Sequence, residues 1–228
     1  MEVLVYPDAE TVARRAAEFI VRQAQEAIAL RSQFTLAMSG GSTPWRMLTW
    51  LVQSELPWEQ IQIFQVDERI LPVSDEGRNW THLEQILRPR STLLADRVHP
   101  MPVNESNLES AAGRYASLLA RVAGQPAVLD LVQLGLGADG HTASLVAGDP
   151  VLSVVNRDVA ITQPYQRHER MTLTYPAINR ARQVLWVAVG QEKKSAMARL
   201  LNGDNSIPAG RVRDDHATVM TDSAALGT

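Results

Sequence analysis

Residues 129–142 read LDLVQLGLGADGHT. The first half is nearly continuous in apolar character, as expected of a strand covered on both faces of a parallel sheet. The glycine loop behind it fits two templates. Gly135, Gly137 and Gly140 satisfy G-x-G-x-x-G, and Gly135–Thr142 would be a nucleotide phosphate loop if His141 were a lysine. A dinucleotide fold wants an acidic residue about 20 positions further on, closing the next strand. Asp158 stands at that distance but precedes the strand VAIT (159–162). The nucleotide loop lacks its lysine and sets the Asp139 carboxylate where anions should sit. What remains is an Asp-Gly-His at the end of a central strand. His141 is there either a general base near neutral pH or a cap on a following helix, with Asp139 as a turn residue.

Strand-like and helix-like patterns alternate outward from this stretch. EVLVY (2–6), FTLAMS (34–39), IQIFQV (61–66), VAIT (159–162), MTLT (171–174), VLWVAV (184–189) and ATVMT (217–221) read as further strands. Helical spacing follows Pro7 and Asp8, with Val12, Ala16, Phe19, Ile20, Ala24, Ala27 and Ile28 on one face. A second helix carries Pro44 at its first position, and others lie near 79–87, 105–122 and 191–201. This order predicts an α/β fold: a mostly parallel, doubly wound, Rossmann-like sheet with helices on both faces. Ligands would bind at the carboxyl ends of its strands. No repeat or linker divides the chain, so residues 1–228 are expected to form one domain.

Composition removes several classes of function. A formal charge of -3 without any basic run speaks against nucleic acid. The chain has no cysteine, so disulfides, thiolate metal sites and cysteine nucleophiles are excluded. The opening MEVLVYPDAETV lacks a basic flank, and no apolar run approaches the ~18 residues of a membrane span; a cytoplasmic protein without membrane contact is expected. The histidines other than His141, at 82, 99, 168 and 216, show no metal-ligand spacing. No G-x-S-x-G elbow exists, and Ser144, three residues past His141, reads as a small helix-packing residue.

Three further segments fall beside the Asp-Gly-His loop in such a fold. SGGSTP (39–44) joins a strand to a helix, so the amides of Gly40, Gly41 and Ser42 surround a positive helix end. That arrangement suits a phosphate, or is an ordinary capped turn. VDER (66–69) ends another strand, bringing Asp67, Glu68 and Arg69 alongside; the guanidinium suits bidentate phosphate contact, whereas Glu68 equally suits a surface ion pair. Lys193 opens a helix, where a lysine gains nothing from the dipole unless an anion is bound; spacing does not choose between it and Lys194.

Taken in order, SGGSTP, VDER, GLGADGHTASL, RMTLTYPAINRARQVLWVAVGQEKKSAM and IPAGRV resemble the 6-phosphogluconolactonases, relatives of the glucosamine-6-phosphate isomerases. The resemblance covers essentially the whole chain. It implies hydrolysis of 6-phospho-D-glucono-1,5-lactone, a small phosphorylated substrate, without metal or organic cofactor. His141 would activate water, with Asp139 orienting it or shaping the turn. The SGGS loop, Arg69 and Lys193 would hold the phosphate, with Arg170 facing the same pocket. A monomer or weak dimer is implied instead of the isomerase hexamer.

The isomerase branch resembles DGHIAFNEP after the histidine, and its proton-handling glutamate is Val146 here, which favours the lactonase. The alternatives are an isomerase/deaminase and a catalytically silent sugar-phosphate binder. There are also departures from the family pattern. Arg78-Asn79 replaces a usual Ser-Asn, with Arg78 either supplying charge or pointing into solvent. Gly210 replaces the usual serine after IPA and is expected to leave the fold intact.

Overall fold

The structure, a computed structural model, describes residues 1–90 and 96–227. Its elements run β1 (Glu2–Tyr6), α1 (Ala9–Arg31), β2 (Phe34–Met38), α2 (Ser42–Gln53), β3 (Ile61–Gln65), β4 (Asp67–Arg69), α3 (Asn79–Leu87) and β5 (Val98–His99). The second half holds α4 (Leu108–Ala123), β6 (Leu131–Leu134), β7 (Val159–Ile161), β8 (Arg170–Leu173), α5 (Tyr175–Asn179), β9 (Gln183–Ala188), α6 (Lys194–Leu201), β10 (Ala217–Asp222) and α7 (Ser223–Leu226).

Seven strands form one parallel sheet in the order β1-β10-β9-β6-β2-β3-β5. Alternate residues of its strands enter two separate cores, because successive strand side chains point to opposite faces. Leu36, Ile63, Leu131, Leu185 and Met220 pack beneath α1, α2 and α3. Ala37, Phe64, Val132, Val184, Trp186 and Val219 face α4, α6 and the second sheet. The expectation of a parallel α/β sheet with helices on both faces therefore holds.

The helix ends follow from local chemistry. Asp8 caps α1 by accepting the Thr11 amide at 2.7 Å, and Ser32 closes it in the left-handed region at φ 59°. Asn107 caps α4 by accepting the Ser110 amide, so that helix begins at Leu108 and not at the expected 105. Helix α2 begins at Ser42, which moves Pro44 to its third position, still within the first turn where no amide donor is needed.

The expected strands VAIT and MTLT do not join the parallel sheet. They form β7 and β8 of a second, antiparallel sheet ordered β4-β8-β7. Only a short loop separates them, and a parallel crossover needs a dozen or more residues. The third strand, β4, is the VDER segment itself. After β3 the chain passes through Val66, whose amide donates to the Met38 carbonyl and whose carbonyl accepts the Leu173 amide, and so changes sheets in one residue.

Strands β2 and β6 are neighbours, yet the chain leaves them in opposite directions, from β2 to β3 and from β6 to β9. This is the switch point at which open α/β sheets leave a crevice. Behind it, the Tyr115 hydroxyl on α4 accepts the Gln65 amide at 2.9 Å at the end of β3. Burial raises the Tyr115 pKa far above the phenol range, so the group stays neutral. Tyr115→Phe would leave that buried amide without a partner and should cost about 1–3 kcal/mol, read as a lowered urea midpoint at unchanged m-value.

Candidate active site

The crevice is a cavity of about 220 Å³ lined by residues of both sheets. Its walls include Gly40 and Gly41 after β2, Asp67 and Arg69 of β4, Gly137 and His141 after β6, Arg170 of β8, and Lys193. Segments far apart in sequence are thus brought together as expected. Of the remaining candidates, Asp139 touches the cavity through His141, and Ser42 stands exposed at the start of α2 outside the lining. Lys193 lines the cavity, whereas Lys194 lies against Gly227 near the C-terminal end of α7.

The glycine loop after β6 does not lead into a helix, and that excludes both nucleotide templates. It closes on itself: the Gly137 amide donates to the His141 carbonyl at 2.8 Å, the Gly140 amide to the Gly137 carbonyl at 2.9 Å, and Thr142 Oγ1 to the Gly135 carbonyl at 2.9 Å. Gly140 takes φ +87°, which favours glycine, and its carbonyl accepts the Ala209 amide at 2.9 Å, bracing the loop from the IPAG segment. A methyl group on Gly137 would overlap the His141 imidazole, so the ring packs against bare backbone.

His141 Nδ1 and Asp139 Oδ1 are 2.6 Å apart, and the His141 amide donates to the same oxygen at 3.2 Å. Partial burial raises the Asp139 pKa, but the hydrogen bond and charge of His141, its amide and the Tyr165 hydroxyl outweigh it, and the net shift is downward. The carboxylate is therefore ionised near neutral pH and can only accept, so the contact with His141 orients the ring with Nδ1 toward Asp139 and Nε2 away from it.

At the other end of the cavity, β4 and β8 pair with Arg69 directly opposite Arg170. Like charges directly opposite across a strand pair repel. Arg69 donates to the Gly77 carbonyl; Arg170 is buried, and its Nε has no partner. Burial pushes the Arg170 pKa down, Asp67 pulls it up, and Arg69 again lowers it. Arg69, Arg170 and Lys193 share the cavity with one lining carboxylate, Asp67.

Sequence reasoning missed several parts of this arrangement. No helix follows His141, so Ser144 is not a helix-packing residue. It is fully buried, donates to Asp67 Oδ2 at 2.5 Å and stands 3.5 Å from Arg170 Nη1. Asn79 lines the cavity, donates from Nδ2 to the Asp67 carbonyl, and lies so close to Gly40 that a side chain at position 40 would displace it. Tyr165 donates to Asp139 Oδ2 at 3.0 Å. Arg78 neither lines the cavity nor points into solvent: it is buried, donating to Asn104 Oδ1 at 2.6 Å, with Nε 3.7 Å from Glu68. Glu68 is no surface ion pair; it is fully buried and accepts from Gln65, Arg69, Asn79 and Trp80. Gly210 lies away from the cavity, and a side chain there would run into the Asp204 carbonyl, so a serine would require the 204–206 turn to shift.

Among the described residues, no group of three or more His, Asp or Glu side chains is arranged to hold a metal ion, and no helix is long and apolar enough to cross a membrane.

Fold and cavity together define an α/β protein with a small, cation-rich pocket at the switch point of a parallel sheet. The family model of glucosamine-6-phosphate isomerases/6-phosphogluconolactonase matches residues 7–221. A 6-phosphogluconolactonase of Synechocystis is 34% identical over 203 residues, covering 87% of this chain and 84% of its own. The crystal structure of a 6-phosphogluconolactonase from Thermotoga maritima superposes with a TM-score of 0.86 at 26% identity, covering 97% of this chain and 98% of its own. A monomeric glucosamine-6-phosphate deaminase shares the fold, with a TM-score of 0.84 at 18% identity over 100% of this chain and 99% of its own. The chain belongs to the glucosamine-6-phosphate isomerase/6-phosphogluconolactonase family.

Glu68→Gln removes a buried charge that holds two amides of α3 and faces Arg78. It should destabilise the fold by about 3 kcal/mol, measured by chemical denaturation, because Arg78 is left buried without its counter-charge.

Proposed function

We propose that this chain hydrolyses 6-phospho-D-glucono-1,5-lactone to 6-phospho-D-gluconate, the second step of the oxidative pentose phosphate pathway. The observation that carries the reading is the pairing of a cation cluster with an oriented base across one small cavity. Arg69 and Arg170, set opposite each other, lose their mutual repulsion when a phosphate dianion lies between them and Lys193. The amides of Ser42 and Thr43 precede the first bond of α2, from the Trp45 amide to the Gly41 carbonyl, and add the positive end of a helix beside Gly40 and Gly41.

Anchoring the phosphate at that end sets the lactone carbonyl toward His141. Nε2 takes a proton from water as the water oxygen bonds to the lactone carbonyl carbon. The ring carbon–oxygen bond then breaks, and the proton passes from Nε2 to the departing ring oxygen, giving a carboxylic acid that ionises and a free hydroxyl. Asp139 keeps a proton on Nδ1, so that Nε2 is the nitrogen that exchanges protons, and stabilises the imidazolium that forms between the two transfers. Orientation by a remote phosphate can supply several kcal/mol of barrier reduction.

The deaminase reading is less well supported. Position 146, where the isomerase branch resembles a glutamate, holds Val146 outside the cavity lining. A silent binder would have no use for an imidazole held in one tautomer. Residues from Gly40 to Lys193 build one cavity, which supports a single catalytic domain over residues 1–228.

Freshly generated lactone at slightly acidic pH, where spontaneous hydrolysis is slow, tests the reading. The natural protein should accelerate hydrolysis, and His141→Asn should lose roughly 100-fold or more of kcat. No acceleration by folded protein overturns it, as does formation of fructose 6-phosphate from glucosamine 6-phosphate. Lys193→Ala should raise KM roughly tenfold or more with a smaller effect on kcat, since a charge-assisted contact is worth about 1.5–3 kcal/mol.

A further inference from the structure

The turn between β7 and β8 carries a side chain that touches both working ends of the cavity. Residues 165–168 close a tight hairpin, with the Tyr165 amide donating to the His168 carbonyl at 3.0 Å and the His168 amide returning to the Tyr165 carbonyl at 3.2 Å. Its central residues, Gln166 and Arg167, both adopt positive φ, at 50° and 74°, although neither is glycine. Two consecutive left-handed residues make the turn type that matches strand twist, and they fix where the first residue of the turn points.

Tyr165 makes three contacts from that position. Its hydroxyl donates to Asp139 Oδ2 at 3.0 Å, while Oδ1 of the same carboxylate receives His141 Nδ1. Its ring meets the His141 ring edge to face, with centroids 5.5 Å apart at 61°. The Arg170 guanidinium lies over its ring at 5.1 Å. Without the hydroxyl, the Asp139 carboxylate could rotate about its last bond; with it, both oxygens are engaged and Oδ1 stays aimed at the imidazole.

We infer that Tyr165 is a positioning residue for His141, holding the Asp139 carboxylate in register through its hydroxyl and seating Arg170 through its ring. The inference rests on the His141 chemistry proposed above. The charged and titratable groups around His141 are Asp139 on its own loop, Tyr165 on the β7–β8 turn, Asp67 and Arg69 on β4, Arg170 on β8, and Lys193 before α6. Burial, and then Asp139, raise the Tyr165 pKa, so the phenol remains a donor across the working range.

Two variants separate the two roles. Tyr165→Phe keeps the ring and removes the hydroxyl; Tyr165→Leu removes both. In Tyr165→Phe, kcat should fall about three- to tenfold, as for one lost hydrogen bond, with KM within about twofold of the natural protein. The His141 titration midpoint, read from its Cε1 proton by NMR in the free protein, should fall, because the Asp139 carboxylate, no longer held by the hydroxyl, aims Oδ1 less well at the imidazolium. Tyr165→Leu should show the same loss of kcat together with a raised KM from the displaced Arg170. An unchanged midpoint and unchanged kcat in Tyr165→Phe, with its thermal unfolding intact, overturns the inference; so does a change confined to KM. The NMR titration needs no turnover, so it decides the role of Tyr165 even if the lactone assay fails.

Discussion

The architecture of the cavity depends on one buried carboxylate. Glu68 has no exposure, yet it accepts hydrogen bonds from the Gln65 side chain and from the amides of Arg69, Asn79 and Trp80. Those donors belong to three segments: the end of β3, the strand β4 and the first turn of α3. A carboxylate removed from water is tolerated only when such donors replace the lost hydration. Satisfying it forces the chain to turn out of the parallel sheet at Val66 and begin α3 close by. Asp67 and Arg69, the neighbours of Glu68, then face the crevice. Asn79, whose amide is one of the donors, is carried against Gly40 and completes that wall.

The change of sheet at Val66 also creates the electrostatic character of the site. Pairing β4 antiparallel to β8 sets Arg69 opposite Arg170 and Asp67 opposite Thr172. Ser144, brought in from the loop after β6, bridges Asp67 and Arg170 from beneath. Asp67 is thus the internal counter-charge that makes the arginine pair tolerable in a free protein. The unpartnered Nε of Arg170 marks the capacity left over. The hydrogen-bonded register of β4 and β8 holds the two guanidiniums opposite each other in spite of their repulsion.

The succession of strands and helices along the chain and the position of GLGADGHT at a strand end were legible because both depend on local patterns: buried runs of apolar residues, glycines and caps. The second sheet was not legible. Its strands are three to four residues long; β7 and β8 show the same apolar character as a parallel strand, and β4 is made of three charged residues. Only the shortness of the 162–169 connection pointed to an antiparallel pair. Gly40, Gly41, Asp67, Arg69 and Lys193 could be picked out since each stands beside a strand end or helix start, where backbone donors and charges concentrate. Ser144 was misread because helical spacing was assumed after His141, whereas Ala143 turns the chain at φ 50°. Tyr165 gave no signal at all: its partners, Asp139 and Arg170, are found only once β7 and β8 fold against the glycine loop. Arg78 was read from its charge, but its burial is set by Glu68 and Asn104, which lie 10 and 26 positions away.

The fold itself does not select the reaction, since lactonase and deaminase structures superpose on it comparably well. Selection falls to side chains carried by segments without regular structure. The loop after β6 holds the Asp139–His141 pair, and Val146 a few residues on brings no second carboxylate into the cavity. Hydrolysis needs one base that takes and returns a single proton. Ring opening and isomerisation add proton transfers at the ring oxygen and at carbon to those that hydrolysis needs. The parallel sheet provides the crevice, and the irregular loops above it, braced by Gly140 against Ala209 and by Tyr165 against Asp139, carry the side chains that set its chemistry apart from the shared fold.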